Sequence, residues 1–117
     1  MTNIYDKANE FERALRDSEE YKNVLAATDV VYEDEEAKSL YVEFIQTQRK
    51  FMEAMQIGAQ PAEEELKAFE ELQKKLMENT NILALIEAQQ KLQFTIEDLN
   101  RVMFAPLDEL FAKFENQ

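Results

Sequence analysis

Cysteine and histidine are both absent from the 117 residues of this chain. Without cysteine, the chain cannot form disulfides, thiolate zinc sites or cysteine-ligated iron–sulfur clusters. Without histidine, it lacks the commonest general base and the commonest metal ligand of proteins, and no familiar catalytic triad can be assembled. We therefore expect a protein that is not an enzyme, with no catalytic residue, no metal site and no cofactor.

Glycine and proline are almost as scarce, with one glycine and two prolines. An all-β chain needs a turn signal roughly every 8 to 12 residues, so an all-α fold is predicted. The single glycine, Gly58, shares the stretch QIGAQPAE with Pro61. Gly58 suits the left-handed position after a helix end, and Pro61 suits the first position of the next helix. The stretch therefore predicts the corner of a helical hairpin.

Positive charge is also in short supply, since 13 basic residues face 25 acidic ones and the net charge is −12. Such a chain repels nucleic acid and anionic membrane surfaces, so we expect neither as a direct partner. The longest uncharged run, from Ala54 to Ala62, is far shorter than the roughly 20 residues that span a bilayer. The first residues contain no apolar signal-peptide core. A cytoplasmic location is therefore expected.

Apolar residues recur at helical spacing along the whole chain, which predicts a single all-α domain over residues 1–117. Ser18, Asp34 and Thr80 are the predicted N-caps of the second, third and fifth helices. The last long helix is expected to end near Met103. A short separate segment is expected to begin with Pro106 at its first position and to bury its apolar side chains, which are Leu107, Leu110, Phe111 and Phe114.

Two predicted helices, over residues 35–57 and 82–103, carry unbroken apolar seams at alternating spacings of three and four. Each helix would be about 35 Å long, nearly the length of a small globule, and the shorter helices cannot cover both seams. Soluble monomers avoid such exposed rows. We therefore predict a long antiparallel helical hairpin with shorter flanking helices that oligomerises through its helices, as a homodimer or homotetramer. The candidate residues of an oligomer or partner interface are Tyr41, Phe44, Gln48, Phe51, Met52, Met55, Leu92, Ile96, Leu99 and Met103.

Three alternatives remain open at this point. The apolar residues could close a compact monomeric bundle instead of an oligomer. Gln48 and Gln89, which occupy seam positions, could bond to each other or to backbone and fix the register, or could contact a small ligand. The abundant carboxylates could hold magnesium or manganese, although their positions in first turns and beside lysines favour a solvated surface.

Two stretches resemble a known family, LRDSEEY at residues 15–21 and PLDEL at residues 106–110. Together with the order of segments from Tyr5 to Phe111, they are similar to the YlbF/YmcA-like helical family of Gram-positive bacteria, and most of all to its YheA-type branch. The resemblance implies an all-α fold built on a long hairpin that oligomerises through its helices. It also implies a non-enzymatic role.

YlbF and YmcA proteins act with a third protein in a complex that promotes competence, sporulation and biofilm formation, and they are linked to RNA processing. They are associated with cysteine-ligated iron–sulfur clusters, which this chain has no cysteine to hold. The resemblance thus implies a cytoplasmic regulatory protein that acts as an adaptor and binds another protein of a regulatory complex. The alternative is a structural or holdase-like helical oligomer that binds exposed apolar segments.

Overall fold

The computed structural model describes residues 3–115, which contain α-helices and no strand. The five helices are α1 (Ile4–Asp17), α2 (Glu19–Glu33), α3 (Glu35–Gln56), α4 (Glu63–Glu78) and α5 (Thr80–Glu115). The predicted all-α class is confirmed. No helix within these residues is both long enough and apolar enough to cross a membrane.

Side chains cap the helices at two of the three predicted positions. The Ser18 hydroxyl accepts from the Tyr21 backbone N–H at 3.2 Å, and the Asp34 carboxylate accepts from the Glu36 N–H at 3.2 Å. At the start of α5 the prediction was wrong, because the cap is Asn79 and Thr80 is already helical. The Asn79 Oδ1 accepts from the backbone N–H groups of the second and third helical residues, both at 3.1 Å.

The corner between α3 and α4 is built around Gly58, whose φ is 76°. The Gly58 N–H donates to the Met55 carbonyl at 3.2 Å and the Ala59 N–H donates to the Ala54 carbonyl at 2.9 Å, the bond pair of a Schellman motif. The position predicted for Pro61 was wrong. Helix α4 begins at Glu63, so Pro61 lies before its N-cap, Ala62, in an extended link.

The prediction for Pro106 was also wrong, because Pro106 lies inside α5 and does not begin a new helix. A proline removes one backbone hydrogen bond and crowds the preceding turn, which usually ends a helix. Here the flanking residues, MFA before and LDELFAKF after, are mostly good helix formers with no glycine, serine or asparagine to start a turn. Helix α5 therefore runs for 36 residues, or about 54 Å.

The buried core lies at one end of the molecule. Helices α3 and α4 form the hairpin, α2 packs mainly against α5, and the start of α5 closes the group. The buried side chains are Val31, Ala37, Leu72, Leu76, Ile82 and Leu85. Because α2, α3, α4 and α5 each contribute at least one of them, this cluster holds the four helices together. We call these four helices, up to residue 99, the body.

The overall shape is far from that of a compact globule. The Cα radius of gyration is 19.3 Å, whereas a compact chain of this length has about 13 Å. The accessible surface of 9941 Å² exceeds by about 3,300 Å² that of a compact monomer of the same mass. A single copy therefore leaves much surface exposed that a globular protein of this size would bury.

Candidate interaction surfaces

The aromatic part of the α3 seam is used inside the chain. Phe44 stacks on Phe69 of α4 with ring centroids 5.7 Å apart, and Phe51 meets the edge of the same ring at 5.1 Å. All three rings are half-buried. These ring contacts hold α3 and α4 together.

Tyr41 and Gln89 join the two long helices. The Gln89 amide donates to the Tyr41 hydroxyl at 3.0 Å, and this bond links α5 to α3. Gln48 and Gln89 are both exposed. The amide of Gln89 is therefore paired with a tyrosine of α3 rather than with Gln48, and this exposed bond links the two long helices at one point.

The remaining α3 seam residues lie at the tip of the hairpin and face solvent. Met52 is 64% exposed, Met55 is 75% exposed and the neighbouring Ile57 is 82% exposed. The tip therefore presents an apolar surface that no other described helix covers.

The candidates on α5 divide along the helix. Leu92 and Ile96 are half-buried and line a shallow groove with Val24 of α2. Leu99 is half-buried, whereas Met103 is 55% exposed. The body thus covers the seam of α5 up to about residue 99 and leaves the rest of the helix uncovered.

From residue 100 to 115, every residue of α5 except Ala105 and Ala112 is exposed. We call this segment the α5 arm. Four of its apolar side chains, Leu107, Leu110, Phe111 and Phe114, were expected to be buried, and that expectation was wrong. The exposed apolar side chains of the arm are Val102, Met103, Phe104, Leu107, Leu110, Phe111 and Phe114.

Helix α1 is the second uncovered element. Residues 3–14 are all exposed, with Ile4 at 78% and Tyr5 at 76%, and among the described helices α1 packs only against α2. The sequence pattern showed that α1 and the α5 arm are amphipathic, but it could not show that each lacks a neighbour within the chain.

Polar groups on α1 form only exposed ion pairs. Lys7 contacts Glu10 at 3.2 Å, and Arg16 pairs with Glu12. The hydrogen bond that Arg16 donates to the Glu12 carboxylate, followed by the negative charge of Glu12, raises the pKa of Arg16. Exposed pairs of this kind contribute little to stability. They lie on the polar side of α1 and do not hold the helix against another part of the chain.

A polar groove lies where the N-termini of α3 and α5 meet. It has a volume of about 590 Å³ and is lined by groups that include Asp34, Lys75 and Asn81. The Asp34 carboxylate caps α3 and also accepts from the Asn81 side chain at 2.9 Å. Because Asp34 and Asn81 bond to each other, this side of the groove joins the two helix starts. Within residues 3–115, no group of three or more acidic side chains is arranged to hold a metal ion.

The family model of the control of competence regulator ComK, YlbF/YmcA, matches residues 4–108. The chain belongs to the Com_YlbF family. The match includes all of the body and most of both uncovered elements. A UPF0342 protein of Staphylococcus aureus strain JH9 is 40% identical over 110 residues, which cover 94% of this chain and 96% of that protein.

Solved structures show the same Com_YlbF fold. The yheA protein of Bacillus subtilis is 29% identical, with a TM-score of 0.72 over 93% of this chain and 99% of its own. A DUF964 protein of Bacillus stearothermophilus has a TM-score of 0.82 at 23% identity, over 92% and 95% of the two chains.

A third solved structure, Bacillus subtilis RicA in complex with RicF, has a TM-score of 0.65 at 18% identity, over 92% and 96% of the two chains. The resemblance to the YlbF/YmcA-like family and its YheA-type branch is confirmed. Protein partners are thus known within this fold.

Proposed function

We propose that this Com_YlbF protein is a cytoplasmic, non-enzymatic, self-associating helical adaptor that binds another protein of a regulatory complex. The observation that carries the proposal is the extended shape, with a radius of gyration of 19.3 Å and apolar surfaces exposed at the hairpin tip, on α1 and on the α5 arm. A soluble protein keeps such surfaces for contact with other proteins.

Family membership supports the regulatory part of the proposal. The matching model describes control of a competence regulator, and RicA, a protein of the same fold, was solved in complex with RicF. We infer that this chain likewise acts in complexes that affect competence, sporulation, biofilm formation or RNA processing. With a net charge of −12, it would reach RNA through a protein partner.

The hairpin tip is the surface we assign to the foreign partner. Met52, Met55 and Ile57 are exposed there and lie far along α3 from the buried core. Methionine-rich surfaces adapt well to a partner helix, because the side chain is flexible and polarizable. The same side chains would serve a holdase, which is the alternative function.

An affinity purification with the full-length chain as bait distinguishes an adaptor from a holdase. An adaptor gives a short list of partners in fixed ratio to the bait, and a Met52→Glu/Met55→Glu variant loses them. A broad list of unrelated unfolded clients that resists high salt would contradict the adaptor and support the holdase. A matched double substitution at exposed acids, Glu70→Gln/Glu71→Gln, should leave the partner list unchanged.

Two further measurements test the remaining parts. Light scattering at low micromolar concentration should give a multiple of the 13.8 kDa chain mass. A monomer mass that persists on concentration would contradict self-association. A gel shift that shows tight RNA binding by the pure protein at physiological salt would contradict the indirect route to RNA.

A further inference from the structure

The two uncovered elements, α1 and the α5 arm, leave the body at the same end. Near the start of α2, Glu20 lines a groove with Lys91, and Val24 lines another with Ile96. The N-terminal end of α2 therefore lies beside the part of α5 that precedes the arm. Since α1 joins α2 at Ser18, both uncovered helices start from neighbouring points, and yet α1 and α5 do not pack against each other.

The two elements also match in length and in pattern. Helix α1 has 14 residues and the arm has 16, so they are about 21 and 24 Å long. Both carry apolar stripes at spacings of four, three and four. The stripes are Ile4, Ala8, Phe11 and Leu15 on α1, and Met103, Leu107, Leu110 and Phe114 on the arm. Each stripe is the narrow kind that packs against one other helix.

The uncovered area is of the size that a stable dimer buries. The chain exposes about 3,300 Å² more than a compact monomer of its mass. A standard interface buries about 800 Å² on each partner, and obligate homodimers bury from about 1,000 to 2,500 Å² on each. The excess is enough for an obligate interface with area left over for the hairpin tip.

The charge distribution favours a second copy as the occupant. Helix α1 carries three basic and four acidic residues, and the arm carries two basic and three acidic, so each has a net charge of −1. The whole chain has −12, which leaves −10 on the remainder. Two copies repel each other through their bodies, and they repel least where α1 and the arm meet.

We propose that a second copy of this chain covers both elements, with α1 of each copy packed along the α5 arm of the other around a two-fold axis. Such an exchange buries both stripes of both copies at once and needs only one kind of contact, used twice. The inference rests on the self-association proposed above and states which surface forms the dimer interface. It assigns the dimer interface to the two ends of the chain and leaves the hairpin tip free.

Paired charge substitutions test the location. Leu110→Glu should raise the dimer dissociation constant by about tenfold or more, because it places a charge at the centre of a buried stripe. Phe11→Glu should do the same. The control is Leu66→Glu on α4, where a leucine of similar exposure, 45% against 55%, lies outside the proposed interface and should leave the dimer intact.

The outcomes separate the inference from the broader proposal. A wild-type chain that is monomeric in light scattering contradicts self-association itself. A wild-type dimer that Leu66→Glu dissociates and Leu110→Glu does not would contradict only the location. Circular dichroism of each variant confirms that the body remains folded, because the substituted residues lie outside the buried core.

Cross-linking tests the pairing, and the chain suits it because it has no native cysteine. Full-length Phe11→Cys protein is mixed with each of four single-cysteine arm variants, at Met103, Leu107, Leu110 and Phe114, and oxidised after subunit exchange. We expect a disulfide-linked heterodimer with at least one arm variant, and none with Ser39→Cys on α3. Arm variants that cross-link only to themselves would show an arm-to-arm interface and would overturn the exchange.

Discussion

The two ends of this molecule differ in what holds them. At the body end, Ile82 and Leu85 are 0% and 1% exposed, and Asp34 joins the start of α3 to the start of α5. At the other end, α1 and the α5 arm are helical with hardly a contact beyond their own turns. Isolated helices of such length are marginal in water. We therefore expect the body end to be stable by itself and the other end to depend on what packs against it.

Removal of a core side chain should give the largest effect and set the scale of the difference. Leu85→Ala removes a fully buried leucine and leaves a cavity, so the free energy of unfolding should fall by about 2–5 kcal/mol in urea titrations. The matched change Leu110→Ala in the arm should lower it by less than about 1 kcal/mol in dilute, dissociated protein, since that side chain is 55% exposed. Equal losses would show that the arm packs on its own body.

Loss of the link between the two helix starts should have an intermediate effect. Asp34→Ala removes the cap of α3 and the bond to Asn81, each worth about 1 kcal/mol, so stability should fall by about 2 kcal/mol. Asp34→Asn keeps a capping oxygen and should therefore lose less stability than Asp34→Ala. Asp108→Ala in the arm should change stability by no more than about 0.5 kcal/mol. If Asp108→Ala lowers the free energy of unfolding as much as Asp34→Ala does, the expected difference in stability between the two ends is contradicted.

The hairpin corner should give the smallest of the three effects. Gly58→Val should lower the free energy of unfolding by roughly 1 kcal/mol or more through backbone strain. A Cβ at this position would meet no atom within 4 Å, so crowding contributes nothing and Gly58→Asn should be milder. Neither change should alter cross-linking between α1 and the α5 arm. An unchanged free energy of unfolding for Gly58→Val would contradict the left-handed conformation of residue 58 at this corner.

The sequence predicted the helices well because their signals are local. Apolar spacing and the caps at Ser18 and Asp34 depend on residues within a turn or two of one another. The errors came where two local rules compete. At the start of α5, Asn79 and Thr80 are both good caps. At Pro106, strong helix formers on both sides outweigh the proline.

The candidate surfaces were harder to predict, because exposure depends on which helices meet. The seam pattern is the same at Phe44, which packs on Phe69, and at Met55, whose side chain is 75% exposed. The pattern records that a face is apolar, and it does not record whether the neighbour belongs to the same chain. For that reason the uncovered α1 and α5 arm became visible only with the arrangement of the helices.

Amide hydrogen exchange at two protein concentrations tests the central claim most directly, because it reads both ends in one experiment. We expect amides around Ile82 and Leu85 to be protected equally at both concentrations. Amides of α1 and the α5 arm should be protected at high concentration and exchange fast on dilution below the dimer dissociation constant. Arm protection that stays high on dilution, or that is absent even in the concentrated sample, would contradict the claim that a second copy covers these helices.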